Sequence, residues 1–350
     1  MAMPYSPIVL ATPVTNPAAG SVGIPPIAYI SNAMYVFAPT AVDAKHLVPG
    51  SKDDAAQAQA LADTLLRASQ WADRICFGVD PAGKGNSIAA SLSVQAVQTR
   101  IKRGRGSGPE LRLLCDYKPV LQAIGIDVGL SPAQVSSIGP TLAAMARIER
   151  RTIKVPWGWG PIQGRPSDSG PVVSYGGGGG VYAVWSYVSG YPHTSLVSSV
   201  AADATECTVV ATNGSGGMWG IFSAVPPFPG TNLTIYDGNV TETVFIQDVT
   251  PGSNTTVLTT TPFLYDHVVP AAPDFLPVTT IPADVHEAII SLTSMLIKTR
   301  GAKALVMPSS PGGTVPTGTK KAMAQAGALS DYNRACMLLH PFGVRSKQAV

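Results

Sequence analysis

The strongest constraint in this chain of 350 residues is a hydrophobic period that changes twice. Leu61, Leu65, Ala68, Ala72 and Ile75 recur at spacings of four and three, which sets them on one face of a helix. Ser51 is placed to cap that helix, Asp53 and Asp54 to meet its N-terminal dipole, and Gly78 to stop it. The spacing therefore predicts a helix over 52–76. From Ser87 the period becomes two, and 88–101 and 111–128 read as strands on either side of Arg103-Gly104-Arg105-Gly106-Ser107-Gly108. Helical spacing returns at Val285, Ala288, Ile289, Leu292, Met295 and Leu296, closed by Arg300-Gly301, with a weaker helix near 319–339. Helices near both ends with strands between them predict an α+β fold. The N- and C-terminal helices should form a small bundle, with an antiparallel β-domain inserted between them.

Five segments follow. Residues 1–50 read as an extended N-terminal arm, rich in Pro, Ala and Thr as far as 28 and strand-like over Tyr29–Thr40. Residues 51–86 hold the first core helix, and 87–200 a β-rich domain with a loop at 157–180 that ends in Gly176–Gly180 and leads into an aromatic strand at Val181–Val188. The stretch 140–155 fits neither period. Residues 201–269 read as an inserted β-module, because Asn232–Tyr236 and Val240–Val249 flank the hairpin signal Asp237-Gly238 and a further turn leads into 255–260. Such a module should bury its own face, so its excision is expected to leave a soluble helical core. Residues 270–350 supply the C-terminal helices and tail, with a Gly/Pro-rich stretch at Pro308–Gly318.

Composition narrows the function classes. Charged residues make up 13%, about half the usual share, beside 35 glycines and 31 prolines. So few charges suggest an exterior largely covered by partners. The net charge of +3 names no partner by itself. No apolar run is long enough to cross a bilayer, and Met1–Pro26 shows no secretory pattern. Cys76, Cys115, Cys207 and Cys336 form no CxxC pair and read as buried reduced thiols, which fits assembly in a cytosol.

Chemical signatures are weak. Gly78-Val79-Asp80-Pro81-Ala82-Gly83-Lys84-Gly85 has the spacing of a phosphate-binding loop, but Gly85 stands where the Mg²⁺-ligating hydroxyl belongs. The run also follows a helix, the reverse of the required context, so a nucleotide-binding enzyme is the lesser reading. His46, His193, His267, His286 and His340 lack zinc-site spacing, and no acid/base dyad or nucleophile context is visible. No catalytic, cofactor-binding or metal-ligating residue is assigned, and no enzyme activity is expected. The Asn-x-Ser/Thr triplets at Asn213, Asn232, Asn239 and Asn254 would be glycan acceptors in a secreted binding module, but without a leader they read as turn and strand chemistry.

Two basic clusters stand out. Arg100, Lys102, Arg103 and Arg105 sit at a Gly-rich hairpin tip, either solvated or touching the DNA backbone without reading bases. Arg147, Arg150, Arg151 and Lys154 admit the same two readings. At the C-terminus Tyr332, Arg334, Leu338, Leu339, Phe342 and Arg345 combine apolar and cationic groups of the kind that anchor interfaces. Removal of 329–350 is expected to leave a folded subunit that cannot engage its neighbours.

The order of several motifs carries a resemblance. Tyr35-Val36-Phe37-Ala38-Pro39-Thr40, then Pro49-Gly50-Ser51, then Leu61 through Leu65-Leu66-Arg67-Ala68-Ser69-Gln70-Trp71-Ala72-Asp73, resembles head-to-tail adaptor proteins of long-tailed bacteriophages, especially those of actinobacterial hosts. Arg112–Val120, Leu233–Gly238, Pro262–His267, Pro282–Ile289, Lys298–Gly301, Leu329–Tyr332 and Leu338–Phe342 are similar to later parts of such proteins, and about two-thirds of the chain is covered. The long N-terminal arm and the Gly176–Gly180 loop depart from the pattern. The resemblance implies a structural subunit of a homo-oligomeric ring, expected to be twelve-fold, between the portal and a stopper or tail-terminator. It would sit near the major capsid protein, with double-stranded DNA passing through its lumen and no membrane or cofactor. Its place would be the virion neck, after assembly in the host cytoplasm, with the C-terminal segment docking on the portal. Another virion protein, such as a stopper, decoration or tail-terminator subunit, is the alternative.

Overall fold

The computed structural model describes residues 28–44, 47, 53–78, 87–89, 91–99, 102–103, 109–129, 133, 135–138, 146–149, 151–156, 181–210, 232–238, 240–250, 254–259, 261–299 and 320–343. The fold class is α+β, with helices and antiparallel sheets. The chain divides into two compact units. One comprises the described residues of Ala90–Gly190, and the other those of Gly23–Ala89, Tyr191–Ser215 and Val225–Val350.

The first unit is all β where described. Strands β1 (Ser91–Thr99), β8 (Val181–Ser189), β4 (Val120–Gly129) and β5 (Val135–Ser137) form one sheet in the order β1-β8-β4-β5. Strands β2 (Lys102–Arg103), β3 (Pro109–Leu114), β7 (Thr152–Pro156) and β6 (Arg147–Glu149) form a second, in the order β2-β3-β7-β6. Alternation along β8 sends Val181, Ala183, Trp185 and Tyr187 inward, where they share one core with Leu111 and Leu113 of β3 and Ile153 and Val155 of β7. The ambiguous stretch 140–155 holds β6 and β7, strands of three and five residues that are too short to display a period.

The second unit holds the helices and a six-stranded sheet. Helix α1 is Asn32–Val36, α2 is Asp54–Phe77, α3 is Ala283–Lys298 and α4 is Lys320–Leu339. The strand-like reading of Tyr29–Thr40 is corrected by α1. Ser31 Oγ caps it by accepting from Met34 N at 3.2 Å, and the Asp274 carboxylate accepts Asn32 N at 2.9 Å and Ala33 N at 3.3 Å. The donors at the start of this short helix are thus satisfied by a residue far along the chain, which local pattern could not reveal. In α2 the N-cap is Asp53, which accepts from Ala55 N at 3.0 Å, whereas the expected cap Ser51 lies outside the described residues. Gly78, at φ 74°, ends α2 in a conformation that side chains disfavour.

Leu61, Leu65, Ala68, Ala72 and Cys76 of α2 pack with Val285, Ala288, Ile289, Leu292 and Met295 of α3 and with Ala328, Ala335 and Leu339 of α4 in one core. Helix α3 is buried on nearly every face from Val285 to Met295, so it is the central helix. The sheet runs in the order β10 (Glu206–Val210), β13 (Asn254–Thr259), β12 (Thr241–Thr250), β11 (Asn232–Tyr236), β14 (Pro277–Thr279), β9 (His193–Ser195). Strands β9 and β14 lie outside 201–269, so the sheet is wider than the module read from sequence. None of the four cysteines is in a disulfide.

Candidate functional site

The register of the β2-β3-β7-β6 sheet gathers the basic residues. Arg112 of β3 pairs with Lys154 of β7, and Lys154 pairs with Arg147 of β6. Directly paired residues point to the same face, and the opposite face carries the fully buried Leu111, Leu113, Ile153 and Val155. Arg147, Lys154 and Arg112 therefore form a row across three adjacent strands on the outer face. Arg151, in the turn between β6 and β7, is exposed and lines a shallow hollow on this face with Leu114, Glu149, Thr152 and Lys154. Two carboxylates offset part of the charge: Glu110 accepts from Arg112 at 3.0 Å, and Glu149 pairs with Lys154. The Lys154 hydrogen bond, aided by the charges of Lys154, Arg112 and Arg147, holds the exposed Glu149 carboxyl below the usual carboxylate range.

Strand β2 adds Lys102 opposite Glu110 and Arg103 opposite Pro109. The backbone thus brings the two basic clusters of the sequence into one sheet, which spacing alone did not reveal. Arg100, Arg105 and Arg150 lie outside the described residues.

The C-terminal candidates fall differently. Leu339 is fully buried, Tyr332, Leu338 and Phe342 pack against the same helical core, and Arg334 pairs with Glu287 at 2.7 Å. Lys298 of α3 also pairs with Asp331 of α4 at 2.7 Å. As an interface anchor Leu339 is corrected, because its surface is consumed within the chain. Truncation at 329 would remove Ala335 and Leu339 from the core and cannot be expected to leave this unit intact. Among the described side chains of this helix the exposed ones are Ser330, Arg334 and Met337, while Arg345 lies outside the described residues.

Two polar networks in the second unit escaped the sequence reading. In the first, Tyr29 donates its hydroxyl to Asp73 Oδ1 at 2.7 Å and meets Ser87 Oγ at 2.6 Å; its amide donates to Ser69 Oγ at 3.0 Å. Asp73 Oδ1 also accepts Ile88 N at 2.8 Å. Burial pushes the Asp73 carboxyl up to about 7, against the pull of the Ile88 amide and the Tyr29 hydroxyl. In the second, His267 is fully buried with Nδ1 3.0 Å from Asp237 Oδ2 and Nε2 3.2 Å from Glu242 Oε2. A carboxylate thus stands at each ring nitrogen, and the imidazole bridges the two acidic side chains. Asp237 Oδ1 further accepts Val240 N at 2.6 Å, and Glu242 Oε1 accepts Leu264 N at 2.8 Å.

His193 and His286 are buried neutral rings. Burial lowers His193 to about 4 and, with the nearby His193, lowers His286 to about 3. Their folded values lie below the unfolded value near 6.5, so the stability they contribute is present above about pH 6.5 and is lost as pH falls toward 4 and 3. Asp73 has the opposite sign: its contribution is full below about pH 4 and is lost as pH rises through about 7. Thermal melts should therefore weaken on acidification below about pH 6.5, each histidine adding at most about 1.4 kcal/mol per pH unit. Exchange of both histidines for glutamine should remove that acid limb, whereas Asp73→Asn should steepen it between about pH 4 and 6.5, where Asp73 opposes the histidines. Acid limbs of equal steepness in wild type and the double variant would disprove the assignment.

Among the described residues no three His, Cys, Asp or Glu side chains are grouped to hold a metal ion, and no helix is long and apolar enough to cross a membrane. The phosphate-loop-like run beyond Gly78 lies outside the described residues. No family model, curated protein or solved structure matches the chain.

Proposed function

We propose that the chain is a ring-forming head-to-tail adaptor of a long-tailed bacteriophage, seated between portal and stopper or tail, with DNA passing through the ring. The observation that carries this reading is the segment Arg67-Ala68-Ser69-Gln70-Trp71-Ala72-Asp73, on which the resemblance chiefly rests. Its Ala68 and Ala72 are fully buried, and its Ser69 and Asp73 tie the lead-in at Tyr29 and the chain leaving at Ile88 to α2. These are residues that a shared fold would need to keep.

Surface composition supports assembly. Leu264 is 74% exposed, Val268 70%, Val36 62% and Phe37 59%. They surround one hairpin turn, because Asp237 and Glu242 hold the 264–267 segment and Gly238 lies so close to Phe37 that an added Cβ would be 2.9 Å from its ring. Apolar groups held outward on a rigid frame are what a neighbouring subunit covers. The pair Leu264→Asp and Val268→Asp should therefore abolish oligomers in light-scattering chromatography. Stability should change by less than about 0.5 kcal/mol per site, as at ordinary surface positions. Unchanged oligomers would remove this patch from the interface.

The function itself is tested by quantitative mass spectrometry of purified virions from the source phage. An adaptor should be present at the copy number of a single ring, expected to be twelve. Absence from tailed virions, or a copy number in the hundreds as for a decoration protein, would overturn the proposal.

A further inference from the structure

From the row of cations across β6, β7 and β3 we infer that the outer face of the β2-β3-β7-β6 sheet binds the phosphate backbone of duplex DNA without reading sequence. The surface deepens the adaptor proposal by naming where passing DNA would touch the subunit, yet it rests on geometry of its own.

Like charges directly opposite one another on adjacent strands destabilise a sheet. Here Arg112, Lys154 and Arg147 stand directly opposite in succession, and Arg151 joins them from the adjoining turn. Glu110 and Glu149 answer only two of these four cations, and Arg147 and Arg151 are in no ion pair among the described residues. Such a row is sustained when an anion of matching extent lies across it.

The chemistry of the face selects the anion. Strands about 4.8 Å apart make the three-residue row roughly 10 Å long. Duplex DNA carries one charge per about 1.7 Å of axis, so about six phosphate charges fall along that length. Among the described side chains of this face none is aromatic, so the stacking platform that a single strand requires is missing there. Leu114, 50% exposed, is the one large exposed apolar group among the described side chains of this face, too little to seat it in a lipid surface. Four strands side by side, at about 4.8 Å each, exceed the roughly 12 Å width of a major groove, which leaves the backbone rather than the base edges as the contact.

Fluorescence anisotropy of a labelled mixed-sequence duplex with the full chain tests the inference between about 50 and 200 mM salt. Binding should be equal for unrelated sequences, and its logarithm should fall linearly with the logarithm of salt. Arg147→Gln with Arg151→Gln should weaken it roughly ten- to a hundredfold at the lowest salt and reduce the slope by about 2, near 0.9 per lost contact. Glu149→Gln, which frees Lys154 from its partner, should strengthen it. Unchanged affinity and slope in both variants would overturn the inference, as would preference for single strands or for anionic vesicles over the duplex. Rings without duplex binding would refute this surface and leave the adaptor proposal standing; duplex binding without rings would do the reverse.

Discussion

Replacing His267 by alanine is expected to destabilise the second unit by about 3–5 kcal/mol, the cost of removing a buried side chain that bridges two acidic partners. The imidazole is fully buried between Asp237 and Glu242, and its backbone N–H and C=O are both bonded to Val200, so solvent cannot replace it without opening the strand contact. Its loss would leave two carboxylates close together, Glu242 only 6% exposed, without the ring that bridges them. The hairpin turn at Asp237 and the segment at Leu264 should loosen together, because both hang on those carboxylates. Adding Asp237→Asn and Glu242→Gln to the variant should recover a large part of the loss, since neutral amides tolerate burial better than unpaired charges. Urea unfolding measures all three proteins. A cost under about 1 kcal/mol, or no recovery in the triple variant, would mean that the cluster is hydrated rather than a buried hydrogen-bonded link.

The second large effect separates two excisions that look alike in sequence. Deleting 90–190 and joining Ala89 to Tyr191 through a short glycine linker should leave the second unit folded. Tyr191 N already donates to Ile88 O at 2.9 Å, and Ala89 and Tyr191 form a bridge, so the ends to be joined are neighbours. Deleting 201–269 should instead abolish cooperative folding of the helices. Strand β14 would lose its partner β11, Phe37 would lose the turn at Gly238, and His286 would lose Tyr236, whose ring centre lies 5.0 Å away. The sequence-based expectation of a self-contained module at 201–269 is therefore replaced by its opposite. Circular dichroism melts of the two deletions decide it. A cooperative helical transition after removal of 201–269, or its absence after removal of 90–190, would contradict this division of the chain.

How much was legible in the sequence follows from how local each feature is. Helices α2, α3 and α4 and the hairpin at Asp237-Gly238 announce themselves through period, caps and turn residues that lie within a few positions of one another. Helix α1 was misread because its aromatic and β-branched residues mimic a strand, while the group that satisfies its first donors is Asp274, 242 residues from Asn32. The basic row was out of reach for a similar reason. β3 pairs with β7 across the intervening β4, β5 and β6, and no pattern within either strand states that register. His267 finds Asp237 and Glu242 at separations of 30 and 25 residues, set by the fold of the sheet. The C-terminal residues were read as an interface because Tyr332, Leu338, Leu339 and Phe342 lack a clean helical stripe, yet α2 and α3 supply the surface that covers them.

The central claim, that this subunit joins head to tail, is tested most directly by electron microscopy of particles assembled with its gene deleted. An adaptor's loss should yield heads, filled or empty, with separate tails. Purified chain added to those heads should place ring density at one vertex and restore tail attachment and infectivity. Normally tailed, infectious particles formed without the chain would contradict the claim.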